Sequence, residues 1–185
     1  RDDAVLFNAL ISDLYPNTQL VDKTNEELTR AIRTDLQSNG LQPVEKFIGK
    51  VLQLHETMLI RHGVMMVGRT LTGKSTCFDT LQRSLTQMHD TAVKRQKAAA
   101  EEDDDGDDAA NNAPPLHPYV QPTHQHVVNP KSITRDELYG AVNATTREWT
   151  DGCLSKIVRH VVDAANKSAE RHWIVFDGPV DAVWI

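Results

Sequence analysis

The chain has 185 residues, enough for one domain with a sizeable core, and its 39% hydrophobic and 25% charged content is ordinary for a globular protein. The formal charge of −6 is concentrated between Glu101 and Asp108, which supply seven acidic side chains in eight positions. The remainder is close to neutral and lacks the basic footprint of nucleic-acid or anionic-membrane binding. No apolar run is long enough to span a bilayer, and nothing reads as a signal peptide. Cys77 and Cys153 form neither a metal-type spacing nor a disulfide framework, which fits a reducing compartment.

Asp2 to Tyr15 has helical periodicity, with Val5, Leu6, Ala9, Leu10 and Leu14 on one face and Pro16 just beyond. Thr24-Asn25-Glu26-Glu27 carries a capping-box pattern. The helix it opens bears Leu28, Ile32 and Leu36 and stops at Asn39-Gly40. A third helix is predicted from about Pro43 to His62, with Val44, Phe47, Ile48, Val51, Leu54, Met58 and Leu59 as its buried stripe. His55 and His62 are expected on its exposed flank.

Val64 to Val67 is an apolar run that reads as a strand. It enters Gly68-Arg69-Thr70-Leu71-Thr72-Gly73-Lys74-Ser75-Thr76, a G-x-x-x-x-G-K-S/T phosphate-binding loop opening a helix. Glycines let the backbone turn tightly so that successive N–H groups point inward as an anion nest. The new helix adds its unpaired N-terminal donors and the positive end of its dipole. Gly68, Thr72, Gly73, Lys74, Ser75 and Thr76 are therefore the candidate nucleotide-binding residues. Lys74 reaches the β/γ-phosphates and the Ser75 hydroxyl sits on Mg²⁺. The helix should run to about Met88, with Phe78, Leu81 and Leu85 facing a sheet.

From about His89 to Gln125 the composition shifts to a basic patch, an alanine run, the acidic block and a Pro/Asn/His-rich tail, read as a disordered surface insert. His117, His124 and His126 have no cysteine or acidic residue at ligand spacing, so they do not read as a metal site. A short strand is expected at His126 to Asn129, and a second capping box, Thr134 to Glu137, opens a short helix. A further helix should be capped by Thr150 or Asp151, with the stripe Leu154, Ile157, Val158, Val161 and Val162. Trp149 and Trp184 are expected in packing roles.

Trp173 to Phe176 are four consecutive apolar residues, the signature of a buried parallel strand. Asp177 ends that strand, where open α/β sheets bind ligands, and it is placed to hold the Mg²⁺ of the nucleotide. An ATPase of this build places a glutamate next, to polarise the attacking water. Here Gly178 and Pro179 follow, and neither accepts a proton. Asp181 lies four residues along and is the nearest alternative base. No catalytic residue is assigned. The expected fold is α/β, a P-loop αβα sandwich around a parallel sheet.

Several blocks together resemble the dynein heavy chain family. They are His55 to Met65, Asn129-Pro130-Lys131-Ser132-Ile133-Thr134, Glu137-Leu138-Tyr139-Gly140, Glu148-Trp149-Thr150-Asp151-Gly152 and Asp177 to Ile185. The match is to the second AAA+ module of the motor ring, in wording closer to axonemal than to cytoplasmic members, over roughly residues 41–185. The resemblance implies an AAA+ large subdomain, incomplete here, preceded by a helical link over residues 1–40. It implies that Mg-ATP, or ADP, is bound without efficient turnover, with Asp177 as the Walker-B aspartate and Leu41, Pro43 and Val44 near the adenine. The partners it implies are neighbouring AAA+ modules and, through the parent motor, intermediate and light chains and microtubules. Cytoplasm, cytoskeleton and the axoneme of a cilium or flagellum are the implied locations.

Some residues depart from that pattern. Leu71 and Thr72 restrict φ where the family often has glycine. The insert is also longer than expected, and about three strands are counted where the AAA+ core uses five. An active triphosphatase or kinase using Asp181 therefore stays open, as does an interaction segment acting through the acidic insert.

Overall fold

The computed structural model describes residues 2–16, 25–102 and 121–185. Helices α1 (Asp2–Leu14), α2 (Glu26–Ser38), α3 (Glu45–Ile60) and α4 (Lys74–Glu102) come first. They are followed by β1 (Thr123–Val128), α5 (Arg135–Tyr139), β2 (Gly140–Val142), β3 (Trp149–Asp151), α6 (Cys153–Ala165) and β4 (Arg171–Phe176).

One apolar core ties the first half to the second. Leu28, Ile32 and Leu36 of α2 meet Ile48, Val51 and Leu54 of α3, Cys77, Leu81 and Leu85 of α4, and Trp173 of β4. Within each helix these residues recur every three or four positions, so each contributes a single face. Asn25 caps α2, its Oδ1 accepting the Leu28 N–H at 3.1 Å; Thr24 lies outside the described residues. At the other end the Leu41 N–H reaches Leu36 O at 2.8 Å and the Gly40 N–H reaches Gln37 O at 3.0 Å, a Schellman closure at the Asn39-Gly40 stop. Inside the core face, Arg83 of α4 grips the buried Asp35 of α2 with Nε at 2.8 Å and an Nη at 3.0 Å.

β1 and β4 pair in parallel, Thr123 opposite Arg171 through Val128 opposite Phe176. Alternation puts Trp173 and Val175 on the face that packs against the helical core, and His124, His126 and His172 on the other. α4 covers the first face and α6 the second, giving helix, sheet and helix layers. A separate antiparallel hairpin joins β2 and β3.

Several expectations are corrected. Val64 to Val67 form no strand; Met65 and Val67 are largely exposed, because neither sheet of the described residues offers them a ladder partner. α4 continues fourteen residues past Met88 to Glu102, since Asp90 to Glu102 contain neither glycine nor proline and include an alanine run of high helix propensity. Residues 89–102 of the predicted insert are thus helix and its last residues, Thr123 to Gln125, open β1; residues 103–120, with His117 and most of the acidic block, lie outside the described residues. β1 begins at Thr123 rather than His126. Thr150 and Asp151 belong to β3, and the residue before α6 is Gly152, with no side-chain cap. Nothing on α6 is fully buried, and Trp149 is 54% exposed. His55 is buried within α3 rather than on its outer flank.

Candidate functional site

The phosphate-binding loop takes its shape from its own side chains and from α3. Thr72 Oγ1 donates to Arg69 O at 2.8 Å, and Lys74 Nζ donates to Gly68 O at 3.0 Å and Arg69 O at 2.9 Å. Gly73 has φ +80°, and a Cβ there would stand 3.3 Å from Phe47 Cε2, so α3 backs the turn that launches α4. Leu71 adopts φ +66° with its side chain 99% exposed. That is the restriction noted from the sequence: a bulky residue held in the left-handed region without packing in return. Gly73 O accepts the Cys77 N–H at 2.9 Å, which makes Gly73 the N-cap and leaves the first-turn N–H groups of α4 without intrahelical acceptors.

Two contacts set the position of Asp177. Its backbone N–H donates to Val128 O at 3.0 Å, extending the ladder one residue past β4. Ser75 Oγ donates to its Oδ2 at 3.1 Å across 102 residues of sequence. The α4 register that permits this is fixed by hydrogen bonds to the sheet. Gln125 Nε2 donates to Phe78 O at 3.1 Å, Thr86 Oγ1 accepts the Thr123 N–H at 3.1 Å, and Gln82 donates to Thr123 O. Ser75 and Asp177 present two hard oxygens about as far apart as neighbouring corners of a Mg²⁺ octahedron, roughly 2.9 Å. The donor set fits that ion. Lys74, folded onto two loop carbonyls, supplies a cation that an incoming phosphate would compete for.

Other assigned residues are not drawn together. Thr76 sits half-buried in the first turn of α4, while Leu41 and Val44, 40% and 50% exposed, lie just ahead of α3. Asp181 is engaged elsewhere: Lys131 Nζ holds its Oδ2 at 2.8 Å and the Val183 N–H holds its Oδ1 at 3.0 Å. The hydrogen bond from Lys131, then that from Val183, then the Lys131 charge keep its carboxyl below the usual aspartate value, which makes it a weak proton acceptor.

Sequence reasoning missed two neighbours of the site. Asn129 follows β1 directly, with its Oδ1 only 2.9 Å from where a Cβ at Gly178 would stand, so the position that lacks a glutamate is partly filled by an amide. Asp79, one turn along α4 from Ser75, has its pKa raised, chiefly by burial, and the Asp177 carboxylate raises it further. Arg83 and a hydrogen bond from Gln125 oppose the rise. The i, i+4 spacing from Ser75 was the available signal for Asp79; the pairing of β1 with β4 was needed to find Asn129.

The sequence is similar to known proteins. Residues 1–75 match the family described as the hydrolytic ATP binding site of the dynein motor region. That match ends at Ser75 and includes neither Asp177 nor Gly178. Over 185 residues the chain is 40% identical to human dynein axonemal heavy chain 6. It is 39% identical over 183 residues to the Dynein-1-beta heavy chain of the flagellar inner arm I1 complex from Chlamydomonas reinhardtii. Against the cytoplasmic dynein heavy chain of Dictyostelium discoideum it is 32% identical over 185 residues. These alignments cover 99–100% of the chain but only 3–4% of each relative. The chain is accordingly a segment of the dynein heavy chain family, from the AAA+ part of its motor region.

Proposed function

We propose that this segment is the nucleotide-holding part of the second AAA+ module of a dynein heavy chain, binding Mg-ATP to set the shape of the motor ring with little or no hydrolysis of its own. In this reading residues 1–40 lead in from the preceding module, with α2 packed on α4, and residues 41–185 form part of the large subdomain. The observation that carries it is the Ser75–Asp177 contact at 3.1 Å, with Gly178 next in sequence. The hydroxyl and the carboxylate meet next to Lys74 in the chain, and glycine stands where a water-polarising glutamate is expected. Gly68, Thr72, Gly73, Lys74, Ser75 and Thr76 hold the phosphates; Ser75 and Asp177 hold Mg²⁺, which neutralises phosphate charge when bound. Leu41, Pro43 and Val44 lie near the adenine.

Neighbouring AAA+ modules are the immediate partners, with intermediate and light chains and microtubules engaged through the parent motor. The axonemal names among the relatives favour the axoneme of a cilium or flagellum. Hydrolysis with Asp181 as base is the competing reading, and the Lys131 contact opposes it by holding the carboxylate below the ordinary aspartate range.

The test is made on the full heavy chain with its other nucleotide sites disabled. Lys74→Ala should weaken Mg-ATP binding at this site at least tenfold, and single-turnover assays of the unmodified site should release little phosphate. Unchanged affinity in Lys74→Ala would remove the binding proposal. Rapid phosphate release would remove the claim that the site does not turn over.

A further inference from the structure

The face of the β1–β4 sheet that meets α6 is lined with imidazoles. His124 and His126 of β1 stand beside His172 of β4, and His160 of α6 comes down on them. Ring centroids lie 5.2 Å apart for His124–His172, 5.5 Å for His126–His172, 5.7 Å for His126–His160 and 6.3 Å for His160–His172. His126 Nε2 and His172 Nδ1 are 3.3 Å apart, a hydrogen bond that needs one ring to donate and the other to accept. Glu170 is the carboxylate recorded against them, 3.3 Å from His124 Nε2 and 3.8 Å from His172 Nε2. Among the described residues no group of three or more His, Cys, Asp or Glu side chains is arranged to hold a metal ion, so the chemistry open to the cluster is proton binding.

Other charged groups are carried by α6 and β4. On α6, Lys156 and Asp163 stand about one turn either side of His160 and offset each other in sign, while Arg159 is engaged with Asp151 at 2.8 Å. On β4, Arg171 alternates to the opposite sheet face, the face that α4 covers. Among the described residues, Glu170 is therefore the one carboxylate within ion-pair reach of the cluster, beside His124 and His172. Protonating both rings of the His126–His172 pair removes its acceptor, and charge on several rings places like charges within 6 Å of one another across the sheet–helix layer.

We infer that this four-histidine cluster is a proton-sensitive latch, holding α6 against the sheet while neutral and releasing it once several rings are protonated. The direction of the His126 titration agrees. Burial, then His172, His160 and His124, hold its pKa below the ordinary 6.5. A group depressed in this way contributes its full stability above about pH 6.5, and the contribution is lost as pH falls from there through the folded value. The latch adds regulation to a part of the fold that the nucleotide reading does not use, and it stands whether or not ATP is hydrolysed.

Amide hydrogen exchange of the full heavy chain tests it, following peptides from residues 153–166 and, as a control, residues 77–88 of α4. After correction for intrinsic exchange, α6 should exchange at least tenfold faster at pH 5.5 than at pH 7.5, while the α4 peptide changes little. The double variant His126→Gln, His172→Gln keeps a hydrogen-bonding pair without a titrating one and should flatten the α6 response. If that variant loses protection at both pH values, the exposed single change His160→Gln decides, with an expected several-fold reduction of the response. Equal α6 exchange at the two pH values in the unmodified chain overturns the latch, as does an equal loss from α4. An undiminished response in His160→Gln overturns it too.

Discussion

Leu71 shows what a single residue can reveal about a binding loop. At φ +66° and 99% exposed, it pays a left-handed strain of about 1 kcal/mol and gains no packing in return. Asparagine tolerates that region through local hydrogen bonding and does not carry glycine's extra unfolded-state freedom. Leu71→Asn should therefore stabilise the folded chain by up to about 1 kcal/mol, and Leu71→Val should destabilise it, because a β-branched side chain resists positive φ. Denaturant titration of the two variants against the parent chain measures both. Cys77 is a second case. Burial pushes its thiol up to about 11 despite the nearby Lys50, so at pH 8 it is almost wholly protonated. Alkylation of the folded protein should be at least tenfold slower at Cys77 than after unfolding, as read by mass spectrometry.

Between elements, the Asp35–Arg83 pair joins α2 to the helix that carries the phosphate-binding lysine. The two partners are unequal: the Asp35 side chain is 7% exposed and that of Arg83 39%. Removing Arg83 leaves the buried Asp35 carboxylate without a counter-charge and with only the Asn39 Nδ2 donor at 3.2 Å beside it, at a cost of about 3 kcal/mol. Removing Asp35 leaves a guanidinium that can rehydrate, at about 1 kcal/mol. Arg83→Ala should thus destabilise this region more than Asp35→Ala, and local hydrogen exchange of α2 and α4 would rank them. Equal effects would mean that the pair contributes mainly through packing. The hairpin and the α6 start teach the opposite lesson. Trp149 to Gly152 reads in sequence as a helix entry with Thr150 or Asp151 as cap, yet Trp149 to Asp151 pair with Gly140 to Val142 instead. Cap residues and short strand residues look alike in sequence when the partner strand lies several residues away.

For the whole molecule, a single core spans the helices before the phosphate-binding loop and the sheet after it. Leu81, fully buried, belongs to that core. Leu81→Ala should cost about 2–5 kcal/mol and reduce exchange protection in α2, α3 and α4 together. Loss confined to α4 would mean that the helices are not one cooperative unit.

The sequence by itself determined the local features. Helices α2 and α3, the Thr134–Glu137 capping box, the G-x-x-x-x-G-K-S/T loop and the strand ending in Asp177 were all legible, because each depends on residues within one or two turns of each other. Only the tertiary structure decided which distant groups meet. It brought Ser75 to Asp177 and Asn129 to Gly178, engaged Asp181 with Lys131, and gathered four histidines from two strands and a helix. It also left Val64 to Val67 without strand pairing, since a ladder needs a neighbouring edge that no local pattern can supply.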